Sequence, residues 1–263
     1  MFSRSYILPV ALITLGGARL AAASGYDEGQ WVTSFTAGSH LPGSGTFNSA
    51  ATASVDLGSV DPALAGVPLT TTLDQISFRD AFSTGPAFGI ETGYMARSNL
   101  EPFVRLSYSR MQGRNATLGE VDSPALAAPE TITSDFDDMQ SWGLNLGTRW
   151  FVADTGTVRA FVDGYLGAER VDALRGHLEV GAIPVASGSE EFLPQKTSFD
   201  AGVEGGLSWQ IADQADLSLS AGAQYVDARA SQSDAFAPLG IDEVRLTDPR
   251  WSFPISLGLD YRF

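Results

Sequence analysis

The chain has 263 residues, 44% of them hydrophobic and 18% charged, with 16 Lys+Arg against 31 Asp+Glu and a formal net charge of −15. That balance excludes nucleic acid as a partner, because phosphate binding needs a basic surface. The absence of cysteine excludes a disulfide scaffold, a thiol nucleophile and a cysteine-based zinc site. A mean hydropathy of +0.01 suits a soluble protein, but a transmembrane β-barrel alternates apolar and polar residues and also averages near zero.

Residues 1–24 carry the pattern of an export signal. Arg4 precedes the apolar run from Tyr6 to Leu15, which is too short to span a bilayer as a helix, and Ala21-Ala22-Ala23 supplies the small residues of a cleavage site. Its removal takes away Arg4 and Arg19 and leaves residues 25–263, a still more acidic chain, as one barrel domain.

No later apolar run is long enough for a membrane-spanning helix; period-two alternation recurs instead. The first segment, Trp31–His40, places Trp31, Phe35 and Ala37 on one parity. In the second, Phe88, Ile90, Thr92, Tyr94 and Ala96 oppose Ala87, Gly89, Glu91, Gly93 and Met95. The third sets Pro102, Val104, Leu106 and Tyr108 against Glu101, Phe103, Arg105 and Ser107. The fourth and fifth run from Trp142 to Val152, with Arg149 on the polar parity, and from Val158 to Ala168, with Asp163 there. The sixth, Phe199–Ile211, carries Glu204 on its polar parity, and the seventh runs from Leu217 to Tyr225. The eighth is fully regular: Trp251, Phe253, Ile255, Leu257, Leu259, Tyr261 and Phe263 share one face.

Short turns at 97–99, 154–156 and 213–215 alternate with long connections at about 41–82, 112–138, 171–196 and 229–249. Tight periplasmic turns and long external loops are the layout of an outer-membrane barrel. The competing reading, a soluble barrel or sandwich with the apolar parity inside, is disfavoured by two features. The polar parity is rich in glycine, serine and charge, which a narrow lumen accommodates. All five tryptophans lie on the apolar parity, and the aromatic residues sort into two levels. Trp31, Tyr94, Trp150, Trp209, Tyr261 and Phe263 fall near the turns; Tyr108, Trp142, Phe199, Tyr225 and Trp251 fall near the loops. Two membrane–water interfaces select that stratification. The expected architecture is therefore all-β: an eight-stranded antiparallel up-and-down transmembrane β-barrel.

The terminal Leu257-Gly-Leu-Asp-Tyr-Arg-Phe263 resembles the signal by which the barrel-assembly machinery recognises outer-membrane proteins, with Tyr261 and Phe263 as its aromatic residues. The eight-strand layout resembles the OmpA-like and opacity-type small outer-membrane barrels. The resemblance spans about residues 27–263 and implies an outer-membrane location, membrane lipid and lipopolysaccharide as surroundings, and no peptidoglycan-binding domain in this sequence. It does not identify a function.

Eight strands enclose a lumen that side chains can fill. Counted from the turns, Glu91, Arg105, Arg149 and Asp163 sit at similar height, with Glu204 higher. Lone buried charges are costly, so an interior network is expected in which Arg105 and Arg149 bridge Glu91 and Asp163, with Glu204 as a further partner. It either plugs the barrel or gates a narrow pore for small solutes.

An enzymatic reading needs a histidine paired with a carboxylate and, for lipid deacylation, a nearby serine. His40 has inward parity while Ser39 points the other way, and His177 falls in the third loop. The chain is expected to be a non-enzymatic monomer with no cofactor or metal. The loops are acidic, with Glu120, Asp122, Glu130, Asp135, Asp137 and Asp138 in the second and Asp234, Asp242, Glu243 and Asp248 in the fourth. Asp135-Phe-Asp-Asp138 lacks the spacing and glycine of a calcium-binding loop, so a solvated or cation-bridging surface is expected. The first loop alternates over Thr70–Phe78 and is expected to extend strands above the membrane, with two further barrel strands hidden there left open. Surface ligands would bind through these loops.

Overall fold

A computed structural model describes residues 27–263 except 57, 59–62, 64, 182–187, 228–230, 234–235, 238–239, 242–243 and 247–248. The export signal expected at residues 1–24 lies outside the described residues, as do Asp234, Asp242, Glu243 and Asp248.

Eight strands form the barrel: β1 (Trp31–Pro42), β2 (Gly85–Tyr94), β3 (Leu100–Gly113), β4 (Met139–Asp154), β5 (Val158–Val171), β6 (Lys196–Ala212), β7 (Ala215–Val226) and β8 (Arg250–Arg262). Each pairs antiparallel with its sequence neighbours, and β8 pairs with β1 to close the ring. The seam ends on reciprocal backbone bonds of 3.1 Å between Trp31 and Phe263. Closure pairs the edges that an open sheet would expose, the condition for crossing lipid with strands.

Alternation sorts the side chains as the period of two requires. Outward residues such as Leu144 and Leu146 are 58% and 59% exposed, whereas inward Asp163 and Asp216 are fully buried. A soluble protein does not expose a continuous apolar wall of this size; a bilayer solvates it. The turns are short. At Thr155–Thr157, Gly156 takes a φ of +85°, open to glycine without strain, and its N–H donates to Asp154 Oδ1 at 2.6 Å.

Above the barrel the first three loops are strands. The segments 188–193, 174–180, 130–136, 115–122, 68–73 and 51–56 form a six-stranded sheet in that order. Among the described residues loop one adds no barrel strand: its segments 51–56 and 68–73 join this outer sheet, and 82–83 pairs with the upper end of β3. The sheet has an apolar core of its own, with Phe47, Phe82, Phe136, Phe192 and Leu178 among its members. Phe47 is its hub, with ring centroids 5.4, 5.5 and 5.0 Å from Phe78, Phe82 and Phe136. Met111, Met139 and Val171, inward residues at the upper ends of β3, β4 and β5, belong to the same core. The barrel interior therefore changes from polar to dry at the loop end.

Candidate functional site in the lumen

The lumen is built in layers. Glycines on the inward parity leave room for aromatic rings on the neighbouring strand. Phe103 lies over Gly147, Tyr165 over Gly202 and Phe161 over Gly206, each opposite its partner in the register; a Cβ on any of these glycines would meet the ring at 2.3 Å. Aromatic cover of an inward glycine fixes strand register while filling space.

The arginines stack on those rings. The Arg105 guanidinium is 5.0 Å from the centroids of both Phe103 and Tyr165. That of Arg149 is 4.7 Å from Phe161 and 5.8 Å from Phe103. A desolvated cation over an aromatic face gains electrostatic energy from the ring quadrupole.

The structure brings together all five charged residues singled out in the sequence. Arg105 reaches Glu91 Oε2 through Nε at 2.8 Å, Glu204 Oε1 through Nη1 at 2.7 Å and Asp163 Oδ2 through Nη2 at 3.3 Å. Arg149 grips Asp163 with two bonds of 3.0 Å and reaches Glu91 Oε1 at 3.0 Å. Ser220 donates to Glu204 Oε2 at 3.2 Å. Bidentate, charge-assisted contacts of this kind are what make buried charge tolerable.

Further groups on the same parity escaped the sequence reading. Toward the turns, Asp216 is held by Arg159 at 2.6 Å and Arg262 at 3.2 Å, beside the apolar cluster of Val32, Met95, Phe151 and Phe161. Glu101 is fully buried, its nearest cation Arg149 Nη1 at 3.7 Å. Toward the loops, Asp200 accepts from Asn145 at 2.7 Å and Gln224 at 3.0 Å. Arg250 pairs with Glu169 and lies 5.9 Å from the Phe78 ring, at the border with the dry core. Inward parity was the signal that could have found all of these.

A polar cavity of about 60 Å³ opens inside beside His40, Arg105 and Glu204, room for a few waters. It lies between the turn-end cluster and the dry cap.

The outer wall carries the aromatic residues at two levels. Trp31 and Tyr94 pair at 5.2 Å, and Tyr261 and Phe263 at 6.2 Å, at the turn end. Tyr108 and Trp142 pair at 4.8 Å, and Tyr225 and Trp251 at 5.4 Å, at the loop end. Trp150 is exposed and Trp209 half-buried.

The histidines stay apart. His40 lines the lumen cavity, with Ser39 on the opposite face of β1. His177 is exposed on the outer sheet, where the register sets it between Asp135 and Ser189, a neighbourhood the sequence did not reveal. Among the described residues no hydrogen bond links those three, and no group of at least three His, Asp or Glu is placed to hold a metal ion.

These features define an eight-stranded transmembrane β-barrel with a filled lumen and a folded external cap. No family model matches the sequence, and no curated protein matches it. Solved structures similar to it include Neisserial surface protein A, at 14% identity and a TM-score of 0.42, with 90% of this chain and 98% of that chain covered. Ail, the attachment invasion locus protein of Yersinia pestis, solved with the heparin analogue sucrose octasulfate, aligns at 13% identity and a TM-score of 0.40, covering 90% of this chain and 100% of that one. OprG from Pseudomonas aeruginosa aligns at 11% identity and a TM-score of 0.40, with 92% and 99% covered.

Proposed function

We propose that this protein is a non-enzymatic outer-membrane barrel whose sealed body anchors a folded external domain at the cell surface. Membrane integrity and surface interaction are its roles, outer-membrane lipid and lipopolysaccharide its surroundings, and the barrel-assembly machinery, reading Tyr261 and Phe263, its partner during biogenesis. The chain works as a monomer, since the barrel closes on itself.

The observation that carries this reading is the double closure of the interior. The Arg105–Arg149 network crosses the lumen, and the apolar core with Met111, Met139 and Val171 covers its loop end. The polar cavity of about 60 Å³ beside the network, from His40 on the loop side to Asp260 on the turn side, has room for a few waters. Rigid scaffolds that hold ordered surface segments are where recognition resides. Planar-bilayer recording of refolded protein, combined with binding of cells bearing it to immobilised host surface glycans and proteins, tests both halves. Silent bilayers and binding lost on deletion of the external sheet are expected; a steady conductance replaces this reading with the narrow-channel one.

A further inference from the structure

On the outer wall, where β1 and β8 meet the overhang of loop one, lies a groove of about 960 Å³. Its floor is the apolar wall itself, with Leu41, Trp251 and Phe253. Its roof is polar, with Gln75 and the exposed Arg79. The position coincides with the loop-end aromatic level, because Trp251 is paired there with Tyr225.

The side chains lining this groove carry a charge opposite to that of the molecule, with the nearest carboxylate on that side, Asp227, accepting from the Tyr225 hydroxyl at 3.2 Å. The chain holds 31 Asp+Glu against 16 Lys+Arg, yet among the described residues no carboxylate lines the groove and Arg79 is its cation. Arg114 stands behind, with Nη1 3.5 Å from the Arg79 carbonyl oxygen, which accepts its hydrogen bond. The adjacent Asp80 is turned back onto Ser77, accepting from its N–H at 3.0 Å and its hydroxyl at 2.6 Å.

We infer that this groove binds the phosphorylated headgroup of an anionic lipid from the surrounding leaflet, with the phosphate on Arg79 and an acyl chain along Trp251 and Phe253. The inference rests on the membrane placement proposed above. Charge complementarity supplies the headgroup contact, and continuity of the floor with the lipid-facing wall supplies the chain contact. Amphipathic indole at this level matches the boundary between headgroup and chain.

The test uses the full chain in nanodiscs of phosphatidylcholine containing bisphosphorylated lipid A or its dephosphorylated form. Lipid A kept through detergent extraction is read by native mass spectrometry. Wild type retains the phosphorylated form over the dephosphorylated one. Arg79→Gln lowers retention about fivefold, the worth of one arginine at an anionic surface, and Trp251→Ala lowers it too. Arg110→Gln, outside the groove, leaves it unchanged, and inorganic phosphate added in excess does not displace the lipid. Equal retention by wild type and Arg79→Gln, or of the two lipid forms, overturns the groove assignment alone. Failure of the heat-modifiable folded protein to enter the discs overturns the membrane placement and the groove with it.

Discussion

Tyr165 lies across Gly202 of the neighbouring strand, so close that a Cβ at Gly202 would sit 2.3 Å from the ring. The Arg105 guanidinium lies 5.0 Å from the centroid of the same ring. Glycine and cation therefore both pack against one ring, and the glycine is the position with no slack. Gly202→Ala is expected to destabilise the barrel by about 1–3 kcal/mol through overpacking, read as a lower urea midpoint of the reconstituted protein. In a Tyr165→Ala background the same substitution loses its penalty, so a double-mutant cycle returns a coupling of similar size. A neutral Gly202→Ala in the wild-type background would sink this packing as the register lock.

Phe47 plays the corresponding role above the membrane, touching three other phenylalanines while almost fully buried. Phe47→Ala is expected to cost the external cap about 3–5 kcal/mol. Because the barrel holds itself by its own ladder, the loss should stay local. Limited proteolysis should cut within residues 43–83 and 114–136, outside the barrel strands, while heat-modifiable gel mobility stays that of the folded barrel. Loss of that mobility would show that cap and barrel fold as one unit.

The strands and their lipid-facing side were legible because one parity is apolar over eight segments, as in Trp251 to Phe263. Height above the turns placed Glu91, Arg105, Arg149 and Asp163 at one level, and these the structure brings together. Counting heights set Glu204 above that level as a further partner, but could not say that Arg105 on β3 is the cation that crosses to it on β6. That contact depends on barrel shear, which is a property of closure rather than of any one strand. Beyond the alternating Thr70–Phe78, which overlaps the strand at 68–73, the outer sheet was hidden for a different reason. Leu174–Val180 also alternates, but Leu174, Gly176, Leu178 and Val180 point into a core while Arg175, His177 and Glu179 face water. Parity is visible in such a segment; which parity meets solvent depends on whether lipid or water lies outside.

The turn at Ser77–Ala81 gives a pH-dependent handle outside the membrane. Asp80 accepts from the Ser77 hydroxyl and N–H, which holds its carboxyl below the usual aspartate range, with the Arg79 and Arg114 charges adding to the effect. A depressed acid contributes stability above its ordinary pKa of about 3.9 and loses it as pH falls through the lower folded value. Asp80 is exposed, so solvent screening keeps the contribution under about 1 kcal/mol. Hydrogen exchange at the Phe78–Ala81 amides should gain on that of neighbouring strands as pH drops below about 4. Ser77→Ala, which removes the hydroxyl donor and keeps the N–H, should shrink that relative change; an identical pH response in Ser77→Ala would refute the hydroxyl contact as its main source.

Arg149 separates the two seals of the lumen. It holds Asp163 and Glu91 at 3.0 Å and stands 3.7 Å from Glu101, so Arg149→Ala takes the cation from buried Glu101 and leaves Asp163 and Glu91 to Arg105. Breaking a buried pair by removing one partner costs about 3–5 kcal/mol, and the urea midpoint should fall accordingly. Conductance should not follow stability. The apolar core that includes Met111, Met139 and Phe136 still covers the loop end in that variant, and water does not wet a path through such a core. Recordings on Arg149→Ala are therefore expected to be as silent as wild type. Channel openings in the variant alone would locate the gate in the ion-pair network rather than in the cap. Deleting residues 115–136, which removes the two central strands of the cap sheet but leaves the network, then becomes the decisive comparison: openings there, with Arg149→Ala silent, assign the seal to the external domain.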